Sequence, residues 1–161
     1  DKGFSLEFAT SVLMILMICG AFGRILGGML GDYIGALPGY ILMSLGQTIF
    51  VVWFPYLISP ASIYILAALF GFTYSGVMSS ILVCTRIMVS AKFGARAMSL
   101  TSLFGWIGMG LGGFLGGYFF DIYGDYSWAF AFAGITGIVN LFILALFFMN
   151  IRRRENLLLS L

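Results

Sequence analysis

Five apolar stretches, residues 8–30, 39–57, 63–89, 98–120 and 128–149, fill most of this 161-residue chain. A helix needs about 20 such residues to cross the hydrocarbon core of a bilayer, and each stretch meets that length. The connections between them are short and carry the breakers. Gly35, Pro38 and Gly39 follow the first stretch, Pro55 and Pro60 bracket the second-to-third turn, Lys92 to Arg96 precedes the fourth, and Asp121 to Tyr126 precedes the fifth. Pro38 is expected to open the second helix, where its missing N–H costs nothing. The expected fold is all-α, a polytopic transmembrane bundle of five spans, treated as one domain over residues 1–161.

Composition excludes the other classes. Charged residues make up 9% of the chain and histidine is absent, whereas soluble domains carry about a quarter charged residues. A net charge of +2 is too small for a nucleic-acid binder, so the bilayer is the expected surrounding and nucleic acid is not an expected partner. No strands of alternating polarity suggest a barrel. Cys19 and Cys84 lie in separate spans with no ligand-type neighbours, so both read as small buried hydrophobes. No metal, cofactor or enzymatic centre is expected, since the spans contain neither histidine nor an interior acid pair. The chain opens on Asp1 without a cleavable leader pattern, as a fragment would.

The basic residues are unevenly divided. If the five spans alternate in direction, Arg86, Lys92, Arg96, Arg152, Arg153 and Arg154 fall on one face and Lys2 alone on the other. The positive-inside rule then places the C-terminus in the cytoplasm, with the plasma or inner membrane as the expected location. Tyr123, Tyr126 and Trp128 fit an aromatic belt at the outer surface.

An internal repeat runs across this topology. Gly28, Asp32 and Gly35 form G-x-x-x-D-x-x-G, and Gly117, Asp121 and Gly124 repeat it 89 positions later. The first copy closes a descending span and the second a rising one, so the repeat is inverted. Such inversion recurs in secondary transporters, whose substrate path lies near the midplane. Gly23, Gly27 and Gly31 on the first span, and Gly108, Gly112 and Gly116 beside Gly113 on the fourth, recur every fourth residue. That spacing lets backbones approach closely, either as fixed packing or as surfaces that rock during gating.

Polar residues inside the spans mark the candidate path. Arg24 is the only charged residue well inside a span, at a cost of roughly 2.5–3.5 kcal/mol for an arginine near the centre. It either snorkels toward the inner surface along the row Arg24, Gly28, Asp32, or holds a carboxylate through two parallel hydrogen bonds. Tyr74 and Ser75 on the third span, with Ser102 and Trp106 on the fourth, supply hydroxyls and an indole N–H for a polar path. Ser44, Gln47 and Thr48 on the second span and Asn140 on the fifth make those two helices look like lipid-facing supports. Asp32 and Asp121 are expected to cap helices at opposite faces.

The stretch from Gly23-Arg24 to Asp32-Tyr33-Ile34-Gly35 resembles the eighth helix and the eighth-to-ninth loop of a major facilitator superfamily transporter, in the G-R-x-x-x-G-x-x-x-D-x-x-G form of monocarboxylate porters. Gly112 to Phe130 is similar to the family's eleventh-to-twelfth junction, and Lys92 to Arg96 to its tenth-to-eleventh loop. The resemblance implies that this chain is the C-terminal portion, helices eight to twelve, with the N-terminal helices of the same transporter as its missing partner. It also implies that Arg24 binds the carboxylate of a small organic anion, as in monocarboxylate porters, while the fourth span lacks the lysine of oxalate-formate exchangers. Gly20 replaces the acid that some porters carry one turn before the arginine. The expected function is secondary transport of an organic anion by alternating access. The alternatives are a carrier of neutral or drug-like solutes, in which Arg24 only snorkels, and a non-transporting accessory protein.

Overall fold

A computed structural model describes the backbone of residues 4–159 and the side chains of residues 4–153, so the side chains of Lys2 and Arg154 lie outside the described residues. It contains five long helices: α1 (Leu6–Ile34), α2 (Ala36–Trp53), α3 (Pro60–Met88), α4 (Gly94–Tyr123) and α5 (Ser127–Leu159). All five are long and apolar enough to cross a membrane, and among the described residues there is no strand.

Local chemistry sets the helix ends. Ser5 caps α1, its Oγ accepting the Phe8 N–H at 3.2 Å. Pro60 begins α3, where a missing N–H is harmless. Pro55 has no N–H for the carbonyl one turn back, and α2 tightens there into a 3₁₀ turn, Phe54–Tyr56. The corners after α1 and α4 are made by Gly35 and Gly124, at φ +97° and +73°, a region that other L-residues rarely enter. Asp32 and Asp121 lie inside the last turns instead, so the expectation that they cap is corrected. The acid that does cap is Asp125, whose carboxylate accepts the Ser127 N–H at 2.8 Å at the start of α5. Pro38 sits in the first turn of α2 but does not open it; the helix starts at Ala36.

Contacts show the helices running alternately up and down. Gly23 lies against Phe72 and Gly27 against Gly76, so α1 and α3 are parallel, and α2 is antiparallel to both. A Cβ on Gly27 would stand 2.8 Å from the Gly76 Cα, and one on Gly23 would overlap the Phe72 carbonyl. Small residues thus bring α1 and α3 into backbone contact. Gly46 admits Thr73 of α3 to α2, and Gly137 of α5 admits Thr48 of α2, each leaving no room for a Cβ. The core between α2, α3 and α5 is Leu37, Tyr40, Met43, Val77, Cys84 and Leu144.

The fourth helix is different. None of its residues is buried. It touches α3 near the Thr85–Thr101 hydroxyl pair, 3.4 Å apart, α5 through Phe119 on Phe132, and the turn before α5 through Phe120 on Tyr126. Nothing lies within 4 Å of where a Cβ would stand on Gly108, Gly112, Gly113, Gly116 or Gly117. The glycine spacing read as helix packing is therefore occupied on α1 and vacant on α4.

Candidate functional site

Arg24 stands ten residues before the end of α1, about 15 Å along the axis, because the helix continues past the apolar stretch through Asp32 to Ile34. It is exposed and makes no hydrogen bond or ion pair among the described residues. Helical geometry fixes its flank. The buried strip of α1 is Gly20, Gly23 and Gly27, packed on α3, with Gly31 against the start of α2. Leu26, Met29, Leu30 and Tyr33 face α2 across an apolar groove of about 590 Å³. At about 100° per residue, Arg24, Gly28 and Asp32 fall on the opposite flank, away from α2. Arg24 lines neither that groove nor the other cavities described below.

Ser75 of α3 shares this region. A Cβ on Gly20 would stand 2.5 Å from the Ser75 Oγ, so the hydroxyl lies against α1 one turn before Arg24. Tyr74 goes elsewhere. It stacks on Phe70, which meets Phe54 edge-on, and Phe54 stacks on Phe130, with ring centroids 5.7, 5.5 and 5.6 Å apart. That column ties α3 to α5 through the end of α2, so Tyr74 joins packing and not the Arg24 flank.

The remaining site residues are on α4. Ser102 is exposed and Trp106 is 72% exposed. Ser102 neighbours Thr101 and is therefore level with Thr85, ten residues and about 15 Å from Ser75 along α3. Counting back along antiparallel α4 from that pair, the level of Arg24 is reached near Gly113. The structure thus places Ser75 against α1 one turn from Arg24 and leaves Ser102 and Trp106 nearer the Thr85 end. Gly28, Gly113 and Gly117 are open, Asp32 and Asp121 are exposed, and Gly35 and Gly124 form the two corners.

One polar cluster lay on helices read as supports. Ser44 is only 3% exposed, and Asn140 Nδ2 donates to its Oγ at 3.4 Å. Tyr40 lies beside both, and Gln47, Thr48 and Thr136 line the same half-enclosed cavity of about 230 Å³. The signal for it was in the sequence: Tyr40, Ser44, Gln47 and Thr48 recur at helical spacing, as do Thr136 and Asn140. A third cavity, of about 310 Å³ between α2 and α3, is mainly apolar, lined by Ile49, Phe50, Trp53 and Leu66.

Among the described residues no three histidine, cysteine or acidic side chains gather as a metal site. The chemistry on offer is hydrogen bonding, one cation and apolar contact, which suits recognition of a solute.

Comparison with known proteins agrees with that character. Over 99 residues, 60% of this chain and 19% of the relative, it is 33% identical to the riboflavin transporter MCH5 of Saccharomyces cerevisiae. The chain therefore spans about a fifth of that relative's length. No solved structure matches it significantly. The model of the Major Facilitator Superfamily, a family of membrane transporters, matches residues 1–159. With five membrane-length helices and a family match along nearly its full extent, this chain belongs to the Major Facilitator Superfamily.

Proposed function

We propose that this chain is the C-terminal five-helix part of a secondary transporter that moves a small organic anion by alternating access, with Arg24 holding the anion. The observation that carries this is Arg24 itself. A guanidinium about 15 Å inside the helix end, unpaired among the described residues, is costly in hydrocarbon and acceptable beside a polar path. Ser75 adds a hydroxyl on the same side, and a carboxylate matches the two parallel N–H groups of arginine. The monocarboxylate-type G-R-x-x-x-G-x-x-x-D-x-x-G pattern supports this class of substrate.

The rest of the transporter is proposed to cover what is bare here. The inverted repeat relates α1 to α4, and α1 uses its glycines to seat α3. The equivalent glycines on α4 then await a helix from the N-terminal portion of the same protein. Arg86, Lys92, Arg96, Arg152 and Arg153 lie at the end of the bundle that carries Gly35. By the positive-inside rule this end faces the cytoplasm, in a plasma or inner membrane.

A second reading is favoured by the relative's name. Riboflavin is an uncharged planar heterocycle, and Trp106, Phe114 and Tyr118 are exposed along α4 beside bare glycines. A flat neutral solute stacking there would need no arginine.

One experiment separates them. Uptake of radiolabelled pyruvate, lactate and riboflavin is measured in cells expressing the complete transporter, with Arg24→Ala and Arg24→Lys beside the parent. Carboxylate uptake lost at least tenfold in Arg24→Ala supports the anion reading. Carboxylate uptake unchanged in both variants overturns it, and riboflavin uptake untouched by either variant establishes the second.

A further inference from the structure

The 230 Å³ cavity between α2 and α5 is set apart from the flank that carries Arg24, and its lining has a definite chemistry. We propose that it binds a small, uncharged molecule bearing an amide or imide edge. This does not rest on the transport reading above.

No charged residue lines the cavity, so a buried ion would meet no countercharge there. The hydrogen bonds already made decide what is left to offer. The hydroxyl protons of Thr48 and Thr136 are committed to carbonyls of their own helices, Ser44 O and Ala133 O, each at 2.8 Å. Asn140 uses its carboxamide N–H groups on Ser44 and on the neighbouring Tyr40 hydroxyl, which also lines the cavity, and keeps its carbonyl oxygen. The Gln47 carboxamide makes no hydrogen bond among the described residues. Two carboxamides therefore face one space, with the whole of Gln47 and the carbonyl oxygen of Asn140 to spare. An –NH–C=O edge is the complement of that pair, because it carries one donor and one acceptor side by side. Val51, Val77 and Ala133 supply apolar surface for the remaining carbons of the ligand.

Size fits a single small ring. The volume is several times the roughly 30 Å³ that one water takes in the liquid, and too small for a whole lipid. Depth fits too. Ser44 is the ninth residue of α2 and Asn140 the fourteenth of α5, well inside both spans, where headgroups do not reach. A bound molecule would bridge α2 and α5 at their hydrogen-bonded seam and stiffen their contact.

Thermal unfolding of the complete transporter purified in detergent tests this, with δ-valerolactam and glutarimide as probes and cyclohexane and cyclohexanecarboxylate as controls. A ligand that binds only the folded state raises Tm with its concentration. The lactam and the imide are expected to do so and the controls are not. Asn140→Leu and Gln47→Leu, each compared with its own ligand-free Tm, should weaken the apparent affinity at least tenfold. Should Asn140→Leu fail to fold, Gln47→Leu decides, since the Gln47 side chain makes no hydrogen bond among the described residues. No rise in the parent protein up to saturation would leave water as the sole occupant and overturn the proposal. An equal rise with cyclohexane, or a rise undiminished in Gln47→Leu, would overturn it as well.

Discussion

Ser44 and Ser80 are both buried hydroxyls, 3% and 2% exposed, yet they stand in opposite positions. Ser44 accepts from Asn140, while the Ser80 Oγ has no hydrogen-bond partner among the described residues. A made interhelical bond of this kind is worth about 0.6 kcal/mol in a membrane bundle and up to roughly 1.7, whereas an unmade one leaves a polar atom in apolar surroundings. Ser44→Ala should therefore lower stability by about that amount. Ser80→Ala should leave it unchanged or raise it, by up to about 1 kcal/mol. Thermal unfolding of both variants in one detergent checks the pair, and a loss in Ser80→Ala comparable to that in Ser44→Ala would contradict it. At this scale the sequence singled out Arg24 as the exceptional charge, because a lone cation in an apolar run is visible by type alone. It assigned Ser44 and Asn140 to the wrong surroundings, because 96 residues separate them and only packing of α2 on α5 brings them together.

Between elements, the same glycine spacing has two meanings. On α1, Gly20, Gly23 and Gly27 each replace a side chain that would collide with α3, so Gly23→Ala must push the Phe72 carbonyl away. Overpacking of that kind costs about 1–3 kcal/mol, and Gly23→Ala should lower Tm accordingly. Gly28, one helical turn from Arg24 and part of the repeated motif, meets nothing within 4 Å. Alanine there should be neutral or stabilising by up to about 1 kcal/mol, since glycine is a poor helix former. If Gly28→Ala keeps its Tm and yet loses transport in the complete protein, the motif acts in gating rather than in folding. On α4 the proposed cover by a further helix makes its own prediction. Gly112→Leu or Gly116→Leu should destabilise the complete transporter as Gly23→Ala does, although nothing within these residues opposes the change. Unaltered stability in both would mean that face meets lipid.

For the whole molecule, orientation is the property on which the transport proposal depends. Lys92→Cys and Tyr126→Cys lie at opposite ends of the bundle, since the two connections they occupy are separated by the length of α4. With the Gly35 end in the cytoplasm, an impermeant thiol reagent should label Tyr126→Cys in intact cells and Lys92→Cys only after permeabilisation. The reverse pattern would invert the topology and put Arg24 nearer the outer surface. Fold class, helix number and the inverted repeat could all be read from the chain, because apolar length and residue type are local properties that a bilayer reads one helix at a time. Which flank of α1 carries Arg24, the pairing of α1 with α3, the bareness of α4 and the polar cavity between α2 and α5 came only from the packed bundle. Those depend on which helix stands beside which. In lipid that choice turns on shape and on a few hydrogen bonds, because apolar surface alone does not distinguish one neighbour from another.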